Sequence, residues 1–231
     1  MTRVGNGTGL IETMRARDGR IPWLDRHLAR LRTSLGALDL AAPRDDLAAL
    51  VRAIAGARDC VIRLEVHAGT ADLTTRAVAA DRSRAVVVSS ETHAPYPYKT
   101  TAREQFGRAF AEARRTGADD ALLVTRAGHV AEGTAWNLFW WESNGRAGGA
   151  GGAGQLSTPA ADLGILPGIG RARVMELTDA QEVRVPVSAL VGCSLFLVNA
   201  VRGIEEIGIF QGHAVPRDAR TAELSSRFWP D

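Results

Sequence analysis

Apolar and polar residues alternate from Leu10 to Arg17 (LIETMRAR), which predicts a strand, with Asp18-Gly19 as a turn and Arg20-Ile21-Pro22 resuming the extended chain. The period then changes. Leu28, Leu31, Leu35 and Leu38 recur at helical spacing, with Asp25 as candidate cap. Residues Pro43 to Ala55 predict a second amphipathic helix with Pro43 near its first turn. Cys60 to Val66 (CVIRLEV) and Leu73 to Ala79 read as strands. Arg63 stands inside the first of these among Val, Ile and Leu, where a charge either faces solvent or serves a site.

The polar run Asp81-Arg82-Ser83-Arg84 breaks the pattern and is the expected domain boundary, giving a small domain over 1–82 and a larger one over 83–231. Beyond it, Ala85 to Ser89 reads as a strand and Thr101 to Arg115 as a helix stopping at Gly117. Ala121 to Thr125 and Val130 to Glu132 flank a turn at Ala127-Gly128, and Trp136 to Trp141 is a strand. Asn144 to Gly154 is glycine-rich and predicts a hairpin loop. It lacks the lysine and hydroxyl of a nucleotide phosphate loop. Leu166-Pro167-Gly168-Ile169-Gly170-Arg171 opens a short helix through Leu177. Glu182 to Val187 and Ser194 to Asn199 are expected strands, and Asp218 to Phe228 a closing helix. Helices early and late with strands between them predict an α+β fold with antiparallel or mixed sheets.

Composition changes this picture little. With 231 residues the chain can bury a sizeable core, and 45% hydrophobic and 23% charged residues are ordinary globular values. A net charge of +2 names no nucleic-acid partner. Cys60 and Cys193 lack metal or redox spacing and read as free thiols of a reducing compartment. No apolar run is long enough to span a bilayer, so a cytoplasmic protein with no membrane partner is expected.

The candidate chemistry starts at Lys99, the single lysine of a chain whose other long basic side chains are all arginine. Arginine stays protonated, whereas a desolvated lysine can lose its proton and condense with an aldehyde. Two further groups stand beside it in kind. The Pro-Gly-Ile-Gly run before a helix offers backbone amides to an anion. Glu132 supplies a carboxylate in an Ala-Glu-Gly-Thr turn. Pyridoxal phosphate asks for these three kinds of group: a lysine for its aldehyde, an acid for its pyridine nitrogen, and amides with an arginine for its phosphate.

The motifs ETMRARDGR (12–20), DRHLARL (25–31), KTT (99–101), GADDALLVTRAGHVAEGTAWNLF (117–139) and LSTPAADLGILPGIGRARVMEL (156–177), in this order, resemble the class IV (fold type IV) pyridoxal-phosphate enzymes. That family includes branched-chain and D-amino acid aminotransferases and aminodeoxychorismate lyases. The resemblance implies a small N-terminal α/β sandwich and a larger C-terminal domain with mixed, barrel-like sheets. It also implies a homodimer, with active sites facing the junction of the two domains. Carried over by position, Lys99 is the cofactor-bound lysine, Glu132 the partner of the ring nitrogen and Arg30 the phosphate-holding arginine. Ile169 and Gly170 supply phosphate-binding amides, Ala200 and Val201 the turn near the phosphate and the substrate carboxylate, and Arg63 a substrate contact. On their own, Arg26, Arg30 and Arg32 read as a solvated helix face.

The sequence also departs from the family. The usual residues ahead of ETMR are few here, a threonine is replaced by Gly170 and a hydroxyl residue by Ala200, and Ala102 stands in place of a common asparagine. Ala68-Gly69 stands where D-amino acid enzymes and lyases carry Arg-Gly, which favours an aminotransferase of a small, branched-chain-like α-amino acid. A 4-amino-4-deoxychorismate lyase, which releases pyruvate and 4-aminobenzoate, is the alternative; Val201-Arg202-Gly203-Ile204 resembles that branch. A homologue that binds the cofactor without turnover is a second alternative. A cofactor-free Schiff-base aldolase would leave Glu132 and the Pro-Gly-Ile-Gly turn unexplained. His129, Trp140, Trp141 and Trp229 read as a solvated turn and as core or interface residues.

Overall fold

The alternating stretch forms β1 (Leu10–Ala16), which pairs antiparallel with β2 (Cys60–His67), itself antiparallel to β3 (Thr70–Arg76), in the order β1-β2-β3. The computed structural model describes residues 8–80, 84–142 and 154–230. The register sets Leu10 opposite Val66, Glu12 opposite Leu64 and Met14 opposite Ile62. Strand alternation therefore places these six side chains on one face. Two helices cover that face, α1 (Leu24–Ala37) and α2 (Leu47–Ala55). Leu28, Leu31 and Leu35 of α1 and Val51 of α2 pack with Leu10, Met14, Ile62 and Leu64 in one core. Each such side chain stabilises the unit by about 1.5–3 kcal/mol on full burial.

Local chemistry explains where these elements start. Asp18 (φ 50°) and Gly19 (φ 73°) form a two-residue turn, but only Arg20 re-pairs, with Arg17, before the chain leaves for α1. The expected cap Asp25 lies inside the first turn, where a carboxylate meets the positive end of the helix dipole. The residue before the helix is Trp23, in a left-handed conformation and without a capping side chain. Helix α2 begins after Asp46 rather than at Pro43, because the Asp46 carboxylate accepts from the amides of Ala48 (3.0 Å) and Ala49 (3.1 Å). β3 starts at Thr70 rather than Leu73, because Ala68 (φ 48°) and Gly69 (φ 80°) make a two-residue hairpin turn.

The chain folds as two compact units, Met1–Ala80 with Tyr98–Arg103, and Asp81–Pro97 with Glu104–Asp231. Residues 81–83 of the boundary run and the glycine-rich loop, apart from Gly154, lie outside the described residues. The second unit carries β4 (Arg84–His93), α3 (Glu104–Arg115), β5 (Asp120–Thr125), β6 (Val130–Gly133), β7 (Asn137–Trp141) and β8 (Leu156–Pro159). These are followed by α4 (Ile169–Leu177), β9 (Gln181–Val183), β10 (Ser194–Asn199), β11 (Gly203–Phe210), β12 (His213–Ala214) and α5 (Ala219–Ser226). Its sheet runs β6-β5-β4-β11-β10-β7-β8-β9, with β12 on β11. β4 is parallel to both β5 and β11, and β8 is parallel to β9, while the other pairs are antiparallel. The fold is α+β with mixed sheets. One core joins Val86, Leu122, Leu138, Trp140, Leu195 and Leu197.

Two differences from the pattern-based expectation have clear causes. The strand expected over 182–187 ends at Val183, since Pro186 has no amide to donate to a ladder and a tight helical turn follows over 187–190. β11 was hidden because Gly203 and Glu205 stand among its buried positions with Ile207 and Phe210, so the alternation does not read as apolar-in. The carboxylate of Glu205 tolerates burial because Arg84 and Arg202 both pair with it.

Candidate active site

In the first unit the segment that carries Lys99 is sewn to the free edge of β1. The amide of Ile11 donates to the Lys99 carbonyl (2.8 Å) and the amide of Thr101 to the Gly9 carbonyl (2.9 Å). The Gly9 amide returns a bond to Thr101 Oγ1 at 2.9 Å. Leu10 and Thr100 thus form an antiparallel bridge, and Thr101 is the hydroxyl that anchors the backbone next to the lysine. Lys99 itself is half-buried.

Glu12 follows directly on β1, with its carboxylate 1% exposed against α1. Arg30 grips it with two bonds, Nε to Oε1 at 2.8 Å and Nη2 to Oε2 at 2.6 Å. His27 Nδ1 lies 2.6 Å from Oε2. Burial alone would raise the Glu12 pKa. The Arg30 charge and the hydrogen bonds from His27 and Arg30 outweigh it, and the carboxyl falls from 4.5 to about 2. Burial pushes His27 below its ordinary 6.5, against the pull of Glu12, and the charges of Arg30 and Lys99 lower it further. At neutral pH His27 is therefore an uncharged donor through Nδ1, with a buried Nε2 that has no partner among the described residues. A planar guanidinium held on two atoms has a fixed plane.

Arg63 is not part of this group. It pairs with Thr13 across β1 and β2, one position out of step with Glu12, so it projects from the opposite face of the sheet and forms an ion pair with Glu65.

In the second unit the structure links Glu132, Ile169 and Gly170, and Ala200 and Val201 through three segments of chain: β6, the 166–170 turn into α4, and the turn after β10. Glu132 lies on β6 and is 3% exposed. Its carboxylate accepts from the amide of Leu166 (3.3 and 3.2 Å to its two oxygens) and lies 3.0 Å from His93 Nε2. Three residues after Leu166, α4 begins at Ile169 with Gly168 as a cap that offers no side chain. The turn is packed too tightly for side chains. A Cβ on Gly168 would come within 2.0 Å of Asn137 Oδ1, and one on Gly170 within 2.7 Å of the Asn199 carbonyl carbon. Asn199 Oδ1 accepts from the amides of Val201 and Arg202, both at 2.9 Å, which folds residues 199–202 into a turn against the start of α4. The loop after Glu132 is braced by Asp120, whose Oδ1 accepts from the Thr134 amide at 2.9 Å. Burial pushes the Asp120 carboxyl up, with the Thr134 and Ala121 bonds opposing.

Glu12, His27, His93 and Asp120 were not singled out from the sequence. Glu12 and His27 had a readable signal, a polar residue on an otherwise apolar face of a strand and of a helix. His93 had none, since it lies past the end of the expected strand.

A family model described as amino-transferase class IV matches residues 9–208, and the chain belongs to that family of aminotransferase-type enzymes. Among solved structures, a protein from Mesorhizobium loti provisionally named amino-acid aminotransferase is 30% identical (TM-score 0.76), over 87% of this chain and 99% of that one. The branched-chain aminotransferase of Thermoproteus uzoniensis, solved with norvaline, is 21% identical (TM-score 0.84), over 95% of this chain and 84% of that one. A Legionella pneumophila protein provisionally named 4-amino-4-deoxychorismate lyase is 22% identical (TM-score 0.78), over 96% and 91%. The last two likenesses show the fold, which is fold type IV. A search of curated proteins returns no match.

The residues present fit a ring-and-phosphate cofactor. First-turn amides of a helix without a capping side chain suit an anion, and the close approach at Gly170 leaves backbone rather than side chains around it. A buried carboxylate already fixed by two donors suits a cationic ring nitrogen. Among the described residues there is no group of three metal-ligating side chains, and no helix is long and apolar enough to cross a membrane.

Proposed function

We propose that the chain is a pyridoxal-phosphate-dependent aminotransferase of a small, branched-chain-like α-amino acid. The observation that carries this reading is the buried Glu132 carboxylate, joined through Leu166 to the open helix start at Ile169-Gly170. The name of the Thermoproteus relative supports the substrate class. When bound, the cofactor supplies an aldehyde that condenses with amines and a ring that withdraws electrons from the substrate α-carbon.

The chain's own part follows from its residues. Lys99 supplies the amine that holds the cofactor and, once released as the free base, takes the substrate α-proton at Nζ. Glu132 keeps a proton on the ring nitrogen. The amides of Ile169 and Gly170, the 200–201 turn and Arg30 hold the phosphate. Arg63 and Val201 are assigned to the substrate carboxylate. Substitution of the usual hydroxyl residues by Gly170 and Ala200 leaves backbone amides as the main phosphate donors. A homodimer in the cytoplasm is part of the same proposal.

The lyase reading rests on the Legionella likeness and the Val201-Arg202-Gly203-Ile204 sequence. Two measurements test both. Protein reconstituted with pyridoxal phosphate is expected to show a visible absorption band that Lys99→Ala abolishes. A wild-type protein that binds no cofactor refutes the proposal. Keto-acid formation that depends on an amino acceptor supports the aminotransferase. Pyruvate release from aminodeoxychorismate without an acceptor replaces it with the lyase.

A further inference from the structure

Glu132 is held by a second buried side chain that the family motifs do not include. His93 ends β4, and its side chain is fully buried, with Nε2 3.0 Å from Glu132 Oε1. Its other nitrogen, Nδ1, has no partner among the described residues. An orphaned buried N–H is rarer and costlier than an orphaned acceptor. The ring proton therefore belongs on Nε2, where it is donated to the carboxylate, and Nδ1 keeps only a lone pair.

The backbone is shaped to deliver this contact. β4 pairs with β5 in one register at Val88↔Leu122 and in another at Thr92↔Val124, so two extra residues are accommodated between them. Such a bulge re-aims the side chains beyond it. It is pinned from α3, where Glu112 accepts from Ser89 Oγ (2.5 Å) and from the amide of Ser90 (3.0 Å). Past the bulge, His93 stands opposite Thr125, and its ring turns into the interior of the second unit.

We infer that His93 is a positioning residue: its Nε2–H and the Leu166 amide together fix the Glu132 carboxylate in the orientation that receives a protonated ring nitrogen. The inference rests on the function proposed above. Two donors on one carboxylate remove its rotation and set which lone pairs remain for a third partner. Loss of the histidine removes one of the donors that hold this carboxylate.

The test compares two probes on the full chain. One is pyridoxal phosphate, the other its analogue with carbon in place of the ring nitrogen, and both are followed by quenching of tryptophan fluorescence. His93→Leu is expected to weaken pyridoxal phosphate about tenfold or more, the effect of losing one hydrogen bond to a charged group, and to leave the carbon analogue unchanged. His93→Gln, which carries an N–H near the Nε2 position, is expected to recover most of the loss. Equal weakening of both probes, or none of either, overturns the inference. In cofactor-free protein, nitrogen NMR is expected to show the His93 proton on Nε2 and a shift of that signal in Glu132→Gln. A proton on Nδ1 overturns it as well. A wild-type protein that binds neither probe refutes the proposed function, and the role of His93 falls with it. Binding of both probes with no His93 effect refutes only the inference.

Discussion

Gly170 offers the sharpest quantitative test of the helix-start geometry. Replacement by alanine would set a Cβ 2.7 Å from the Asn199 carbonyl carbon, 2.9 Å from its Cα and 3.1 Å from the Ala200 nitrogen. Carbon atoms in contact prefer about 3.5–4.0 Å, so the shortfall is close to an ångström. All three neighbours are backbone, and Asn199 is tied into the β10–β11 ladder opposite Gly203, so none moves cheaply. The expected cost is that of overpacking, about 1–3 kcal/mol, which for a chain of this size lowers Tm by about 2–12 °C. Gly107 is the internal control. It lies in α3 with nothing within 4 Å of its virtual Cβ. Gly107→Ala should therefore raise stability by about 0.5–1 kcal/mol through helix propensity alone. Urea denaturation of the two variants reads both signs in one experiment. If Gly170→Ala matches or exceeds wild-type stability, α4 does not meet the Asn199–Ala200 backbone as described.

The Glu12–His27 pair predicts acid sensitivity. Unfolded His27 takes up a proton near 6.5 while the folded, depressed residue does not, so stability falls as pH drops below 6.5. The slope is at most about 1.4 kcal/mol per pH unit for this one group. The ionised Glu12 adds its stabilisation fully above 4.5 and loses it between 4.5 and about 2, about 3 kcal/mol in all. Urea midpoints at pH 7.5 and 5.5 should differ in the wild type and converge in His27→Asn; an unaltered difference in that variant counts against the assignment. Asp46→Ala removes the acceptor of two amides at the start of α2 and should cost about 1 kcal/mol; a loss below a few tenths would show that the cap contributes nothing.

Much of this protein can be read from residue order alone. Period-2 alternation marks β1 and β2, the leucine spacing marks α1, and a lone lysine, an acidic turn and a Pro-Gly-Ile-Gly run mark the candidate chemistry. Such features are local, so propensity and spacing carry them. Tertiary structure decided what depends on distant partners. Only the backbone bonds between residues 9–11 and 99–101 reveal that the lysine segment is bridged to the free edge of β1. Only packing shows that Arg30 closes on Glu12, that Arg63 turns to the other face of the sheet and that Gly170 is demanded by the Asn199 backbone. His93 makes the same point most clearly. A histidine in a run of Thr-His-Ala is unremarkable until a two-residue bulge, pinned 19 residues downstream by Glu112, turns it onto a buried carboxylate. Local sequence specifies the elements, because backbone preference and burial period act over a few residues. Site geometry comes from contacts far apart in the chain, which no local pattern encodes.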